Sequence, residues 1–285
     1  MGGRGVTVRR IGFAYNPTIE EASELRERAA GWCRVRGVDQ WAAPAGDLDA
    51  LVRQLPGTDV IVVLGGDGTF LRAVQAVAIV DVPILGINLG KIGFLSKAEA
   101  HELEPMLEKL LAGEYVLRER MALAGDIMPA GRPATTAFIA LNDIVIARGA
   151  LARVVRLAVT IDESHLATFV ADGLVVSSPT GSTGYSFSAG GPILDPGGRN
   201  LVVTPIAGYL SAIRSIVVSP LQVVRCRVLD AHEALVSIDG RDDRPIQVGD
   251  VVEVRALEQP IRFVEPKGAL PFWDLLRTKV ELLPS

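Results

Sequence analysis

Asp59-Val-Ile-Val-Val-Leu64, then Gly65-Gly66-Asp67-Gly68-Thr69, then Phe70-Leu71-Arg72-Ala73-Val74-Gln75-Ala76-Val77 is the stretch that decides the fold. The unbroken, mostly β-branched first run reads as a strand of a parallel sheet, buried on both faces. Phe70, Leu71, Val74 and Val77 fall on one face at helical spacing. Between them lies a turn with almost no side-chain bulk, so the three parts together read as strand, tight turn, helix. Working outward, Val8 to Tyr15 reads as another strand. Ile19 to Cys33 carries Leu25, Ala29, Ala30 and Trp32 at helical spacing, and Pro83 to Asn88 is a second buried strand. Ala98 to Leu111 is helical and stops at Gly113. Strands alternating with helices in this way predict an α/β domain around a parallel sheet. It is Rossmann-like in plan but has no GxGxxG, because Leu71 stands where the third glycine belongs.

After about Arg118 the pattern changes. Strand-like runs follow one another: Phe138 to Ile146, Val154 to Ile161, Ala167 to Val170, Leu174 to Ser177, Leu201 to Thr204, Val223 to Leu229, Ala234 to Ile238 and Val251 to Val254. Turn signals such as Asp239-Gly240 separate them. These predict a second, mostly antiparallel all-β domain. The tail places Pro271 at a helix start, with Phe272, Leu275, Leu276 and Val280 on one face. A lone terminal helix needs a surface to cover, so it is expected to return to the first domain. The predicted boundaries are 1–118 for the α/β domain, 119–264 for the β-rich domain and 265–285 for the tail helix.

Composition narrows the chemistry. The 285 residues make about two domains. A formal charge of −4 argues against a nucleic-acid partner, whose binding needs basic side chains on phosphates. Two cysteines, far apart, exclude a disulfide scaffold, and three scattered histidines form no zinc motif and no Ser-His-Asp relay. No metal ligand set is therefore expected from the chain itself. No segment has the length and apolarity of a signal core or a membrane span. A cytoplasmic protein with no membrane partner is expected. What remains for chemistry is carboxylates, hydroxyls and backbone amides.

The glycines mark where that chemistry sits. Of 29, six fall between Gly65 and Gly93 and seven between Gly173 and Gly198. At the first cluster, the backbone approaches a ligand closely and the following helix N-terminus favours phosphate. Ligands bind at such strand ends in open α/β sheets. Asp67 among these glycines has three readings: general base, magnesium-associated carboxylate, or turn Asp. Gly86-Ile-Asn-Leu-Gly90-Lys-Ile-Gly93-Phe-Leu95 is expected to form a neighbouring loop, with Lys91 either on phosphate or simply solvated. In the second domain, Asn142-Asp143 puts polar groups among apolar neighbours, where they need partners. Asp172 to Pro192 packs Ser178, Thr180, Ser182, Thr183, Ser186 and Ser188 around Tyr185. That mixture suits ribose, adenine or phosphate.

With these segments quoted, the chain resembles the NAD kinase family over roughly Val8 to Leu282. Gly65 to Thr69 is similar to the family's GGDGT motif, and Asn142-Asp143 to its NE/D motif. Ser178-Pro-Thr-Gly-Ser-Thr-Gly-Tyr185 is similar to its TPTGSTAY-type segment. The first motif is shared with other kinases; its combination with the third is specific. The resemblance implies transfer of the γ-phosphoryl group of ATP to the 2′-hydroxyl of the adenosine ribose of NAD, giving NADP. It implies Asp67 as proton acceptor, with Gly65, Gly66, Gly68 and Thr69 along the phosphates and Arg72 reaching NAD. It implies Asn142 and Asp143 on adenine or ribose, and Asp172, Thr183, Gly184, Tyr185 and Ser188 completing the NAD site, joined by Arg153, Ala207 and Arg241. Mg2+ held mainly through the ATP phosphates, and a homodimer or homotetramer, are implied as well. The chain departs from the family's usual residues at Asp143 (commonly Glu), Ser178 (commonly Thr) and Gly184 (commonly Ala). Two other readings compete: a lipid or sugar-phosphate kinase sharing the glycine turn, and a dinucleotide sensor without turnover.

Overall fold

The computed structural model describes residues 8–90, 93–131, 136–149, 154–208 and 213–281. The chain divides into two compact units, Met1–Glu119 with Ile261–Ser285, and Arg120–Pro260.

In the first unit the chain runs β1 (Arg10–Tyr15), α1 (Glu20–Arg36), β2 (Asp39–Pro44), α2 (Leu48–Gln54), β3 (Val60–Leu64), α3 (Asp67–Val80), β4 (Ile84–Asn88), β5 (Ala98–Glu99), α4 (Leu103–Leu111) and β6 (Tyr115–Arg120). Every residue of β3 and β4 is buried, as the β-branched runs require. Gly37 ends α1 in the left-handed conformation at φ 67°, where its N–H and that of Val38 take up the last carbonyls of the helix. Neither β2 nor α2 follows from periodicity. Trp41 in β2 is buried and donates its indole N–H to Thr58 Oγ1 at 2.9 Å, while α2 begins on the carboxylate of Asp47, which accepts the N–H of Ala50. Only two turns long, α2 carries too few apolar residues to show a face.

The second unit contains β7 (Leu123–Met128), β8 (Thr136–Ala140), β9 (Asp143–Arg148), β10 (Val155–Ile161), β11 (Ser164–Ala171), β12 (Gly173–Ser177), the short α5 (Tyr185–Ser188), β13 (Leu201–Ile206), β14 (Ile216–Val218), β15 (Val224–Asp230), β16 (Ala234–Ile238), β17 (Asp242–Ile246) and β18 (Val251–Ala256). They form two six-stranded sheets, in the orders β11-β10-β15-β18-β7-β8 and β14-β13-β12-β9-β16-β17. Leu157, Phe169, Val228 and Val252 from the first sheet share one core with Ile144, Val176, Val203 and Val236 from the second. One strand expected over Phe138 to Ile146 is in fact two. The chain bends at Leu141-Asn142 and passes from one sheet to the other, because the carboxylate of Asp239 accepts the N–H groups of Leu141, Asn142 and Asp143 at 3.0, 2.7 and 3.2 Å.

After Pro260 the chain adds β19 (Ile261–Pro266) and α6 (Phe272–Glu281) to the first unit. The sheet, parallel from β2 through β19, then reads β2-β1-β3-β4-β19-β6, with β5 also on β4. β19 is tied to α3 near both of the helix's ends. Its Phe263 ring lies 5.1 Å from that of Phe70, and Arg262 grips the helix's C-cap, with Nε 2.8 Å from Asp81 Oδ1 and Nη2 donating to the Asp81 carbonyl. α6 lies on the same unit, with Phe272 against Phe94.

Candidate functional site

The first group of predicted residues lies where β3 ends. Gly65 backs directly on the Thr69 side chain: a Cβ there would lie 2.6 Å from Thr69 Oγ1. Gly66 is the extended N-cap of α3 and no side chain caps it; the Thr69 N–H returns to the Gly66 carbonyl at 2.9 Å, and the first N–H groups of such a helix are where an anion binds. Asp67 is the first residue of α3, and Gly68 and Thr69 complete its first turn. Arg72 is exposed and stands five residues beyond Asp67, about 140° around the helix. Its guanidinium lies beside Gly46, 3.0 Å from where a Cβ would stand there. Lys91 lies outside the described residues.

The Asp67 carboxylate is enclosed by the loop after β4. Phe94 and Leu95 donate backbone N–H groups to it, and Lys279 of α6 adds a positive field. Even so, burial dominates and raises the pKa above the usual aspartate range, against the Leu95 N–H, Lys279 and the Phe94 N–H, in that order of strength. One oxygen, Oδ1, is buried without a hydrogen-bond partner. Gly93 is what lets the loop come so close, since a Cβ there would stand 2.7 Å from Asp67 Cγ. A desolvated carboxylate with one unsatisfied oxygen, at a helix N-terminus open to anions, has the make-up of a proton acceptor.

The second group lies in the second unit. Asn142 and Asp143 sit at the bend between β8 and β9, and Gly184 and Tyr185 join them around a cavity of about 420 Å³. Ser237, Asp239 and Asp243 line it too. The Pro179–Thr183 turn folds down onto the bend: Ser178 donates its N–H to the Asn142 carbonyl at 2.8 Å and its hydroxyl to the Leu141 carbonyl at 2.6 Å. Gly181 packs so tightly on the Asn142 backbone that a Cβ would overlap the Asn142 carbonyl group. Neither backbone has room to yield. Gly181→Ala is therefore expected to destabilise the unit by about 1–3 kcal/mol, read as a lower Tm.

Asp143 is 6% exposed, and burial together with the neighbouring Asp239 pushes its pKa up to about 7. Burial also raises that of Asp239, against the three N–H groups it accepts and the nearby Arg241. Asp239 holds φ at 52°, a left-handed conformation in which Asp is tolerated. As a turn residue alone it gives no hint of this role; only the fold brings its carboxylate under the bend.

Other predicted residues are spread more widely. Thr183 closes its own turn on the Thr180 carbonyl at 3.4 Å, and Ser188 ends α5 on the exposed side. A Cβ on Gly184 would stand 3.7 Å from Asp143 Oδ2. Asp172 pairs with Arg148 at 3.0 Å, at the start of β12. The register pairs Gly173 with Ala147 but Ser177 with Asp143, so Asp172 is roughly 17 Å of strand away from Asp143. Ala207, at φ 47°, lies at that same end of the sheet and lines a separate cavity of about 300 Å³ with Gly190 and Arg214. Arg241 is exposed beside the Asp239-Gly240 turn. Arg153 lies outside the described residues.

Comparison with known proteins places these features in a family. Residues 14–115 match the family described as ATP-NAD kinase N-terminal domain, and residues 141–266 match the ATP-NAD kinase C-terminal domain. The chain is 44% identical over 272 residues to the NAD kinase of Moorella thermoacetica, covering 95% of this chain and 83% of that one. It is 38% identical over 282 residues to the NAD kinase of Syntrophotalea carbinolica, covering 96% and 98%. Among solved structures, an NAD kinase from Archaeoglobus fulgidus in complex with ATP superposes with a TM-score of 0.73 at 25% identity, covering 96% of this chain and all of that one. Yeast NADH kinase complexed with NADH has the same fold, with a TM-score of 0.84 at 23% identity over 98% of this chain and 88% of that one. With both domains matched in order and relatives covered nearly end to end, the chain belongs to the NAD kinase family.

Proposed function

We propose that Asp67 accepts the proton of the ribose 2′-hydroxyl as the γ-phosphoryl group of ATP passes from donor to NAD, the NAD kinase reaction. The observation that carries this reading is the buried Asp67 Oδ1 without a partner, at the N-terminus of α3, which no side chain caps. Phosphoryl transfer asks a protein mainly to position the reactants and to stabilise charge. Gly65, Gly66, Gly68 and Thr69 form the backbone surface against which the phosphates lie, and the helix N-terminus supplies partial positive charge. Among the described residues, no three His, Cys, Asp or Glu side chains gather closely enough to hold a metal ion. Mg2+ would be held mainly through the ATP phosphates, as the family resemblance implies, and would neutralise charge there.

Asn142, Asp143, Gly184 and Tyr185 are assigned to the adenosine of NAD, in the 420 Å³ cavity they line. A half-exposed tyrosine ring stacks on a base, and the amide and carboxyl groups hydrogen-bond to base or ribose edges. Thr183, Ser188, Asp172, Ala207, Arg241, Arg153 and Arg72 are assigned to NAD by the family resemblance alone. The test is a coupled assay: ATP, Mg2+ and NAD are mixed with the chain and NADP is read by an NADP-specific dehydrogenase. NADP formation that requires both substrates is expected. No product with ATP or polyphosphate, on NAD or NADH, overturns the reading, and phosphorylation of diacylglycerol instead favours a lipid kinase.

A further inference from the structure

We propose that Lys279, near the end of the C-terminal helix, is a positioning residue for the transfer, acting on Asp67 through the Phe94 loop. The inference rests on Asp67 as the base. Phe272 and Lys279 are seven residues apart, two turns of α6, and so share one face. Both meet Phe94. The Phe272 ring centroid is 6.2 Å from that of Phe94, and Lys279 Nζ stands 5.2 Å from the centre of the Phe94 ring. The Phe272 ring is in turn braced edge-on by Trp273 at 4.9 Å. Phe94, directly after the Gly93 that admits the loop, is one of the two residues whose backbone N–H groups reach Asp67, Leu95 being the other.

The helix thus does two things at one point. Its aromatic residue fixes the loop that donates N–H groups to the carboxylate, and its ammonium group, held on the same ring, presents positive charge toward that carboxylate. Cation–π contact of this kind holds an ammonium in place without neutralising it, as a salt bridge would. The other basic residue of the helix's second half, Arg277, is occupied with Asp274 at 3.4 Å. Among the described residues, the groups facing Asp67 are then the N–H groups of Phe94 and Leu95, the N-terminus of its own helix, and Lys279. Lys279 favours the ionised base, so its loss requires a higher pH to ionise Asp67.

The experiment compares pH profiles of kcat/KM for Lys279→Gln, Lys279→Glu and Lys279→Arg with the parent chain, with Tm measured for each. In Gln the acid limb is expected to move to higher pH, lowering activity on that limb by about three- to fivefold, as loss of one nearby charge predicts. Glu moves it further, and Arg restores it. An unmoved limb in both Gln and Glu, a uniform loss at every pH, or an Arg variant as shifted as Gln overturns the proposal. Asp67→Asn is run alongside. If that variant keeps its turnover, the base assignment itself has failed; if it is inactive while the Lys279 limbs stay put, only the role of Lys279 has.

Discussion

Asp67→Asn lowers turnover by at least about 10²-fold while NAD still binds. Asn keeps the shape of the side chain and can still accept the N–H groups of Phe94 and Leu95 through its oxygen, so the loop and the start of α3 stay in place. What disappears is a group able to take a proton. General bases contribute typically ~10²–10⁴-fold, whereas alignment of two reactants contributes ~7–11 kcal/mol. The variant is therefore expected to retain measurable residual transfer from positioning alone. Steady-state kinetics give kcat and calorimetry gives NAD affinity. A loss of tenfold or less shows that Asp67 is not the base, and a loss of binding equal to the loss of turnover shows that it serves the substrate rather than the proton.

Asp143→Asn makes stability at pH 8 rise relative to the parent chain, while at pH 4 the two differ little. An aspartate in the unfolded chain titrates near 3.9, whereas burial and Asp239 push Asp143 up to about 7 in the fold. Between these two values the folded chain binds the extra proton, so the stability of the parent falls as pH rises through that window. Above the upper value the penalty is complete. Three pH units at 1.36 kcal/mol each set its ceiling at about 4 kcal/mol. The amide carries no charge and escapes it. Urea midpoints for both chains at pH 4, 6 and 8 read the effect; parallel pH dependences would show that Asp143 is already ionised in the fold and that its field is balanced elsewhere. A penalty of this size beside the cavity proposed for the adenosine is the kind of cost that substrate contacts offset.

The parts of this molecule legible in the sequence are those whose pattern is local. β3, the glycine turn and α3 announce themselves because a fully buried strand must be apolar throughout and a turn this tight must be glycine. β16 is equally clear between its turn signals. β2 and α2 are not: Trp41 finds its place through Thr58, seventeen residues away, and no period records that. The run from Phe138 onward looks like one strand because both halves are apolar, and the bend between them is made by a carboxylate almost a hundred residues later. Asp67, Asn142, Asp143 and Tyr185 are visible as motif residues. Gly93 is legible as part of the loop expected beside the glycine turn and Asp239 as a turn residue, but what these two and Lys279 touch is set by the fold and not by spacing.

The place of β19 between β4 and β6 has a consequence for how the protein is made. Asp67 leaves the ribosome roughly 190 residues before Ile261, which at ~5–20 residues per second is an interval of about 10–40 s. Through that time the sheet beneath the glycine turn lacks an interior strand, the Phe70 ring lacks Phe263, and the Asp67 loop lacks the helix that braces it. The α/β unit, although it is begun first, is the last to be finished. Nascent chains stalled before residue 261 are thus expected to leave an edge of β4 unpaired and the Phe70 ring uncovered, and to acquire protease resistance in the first unit only when the final segment is released.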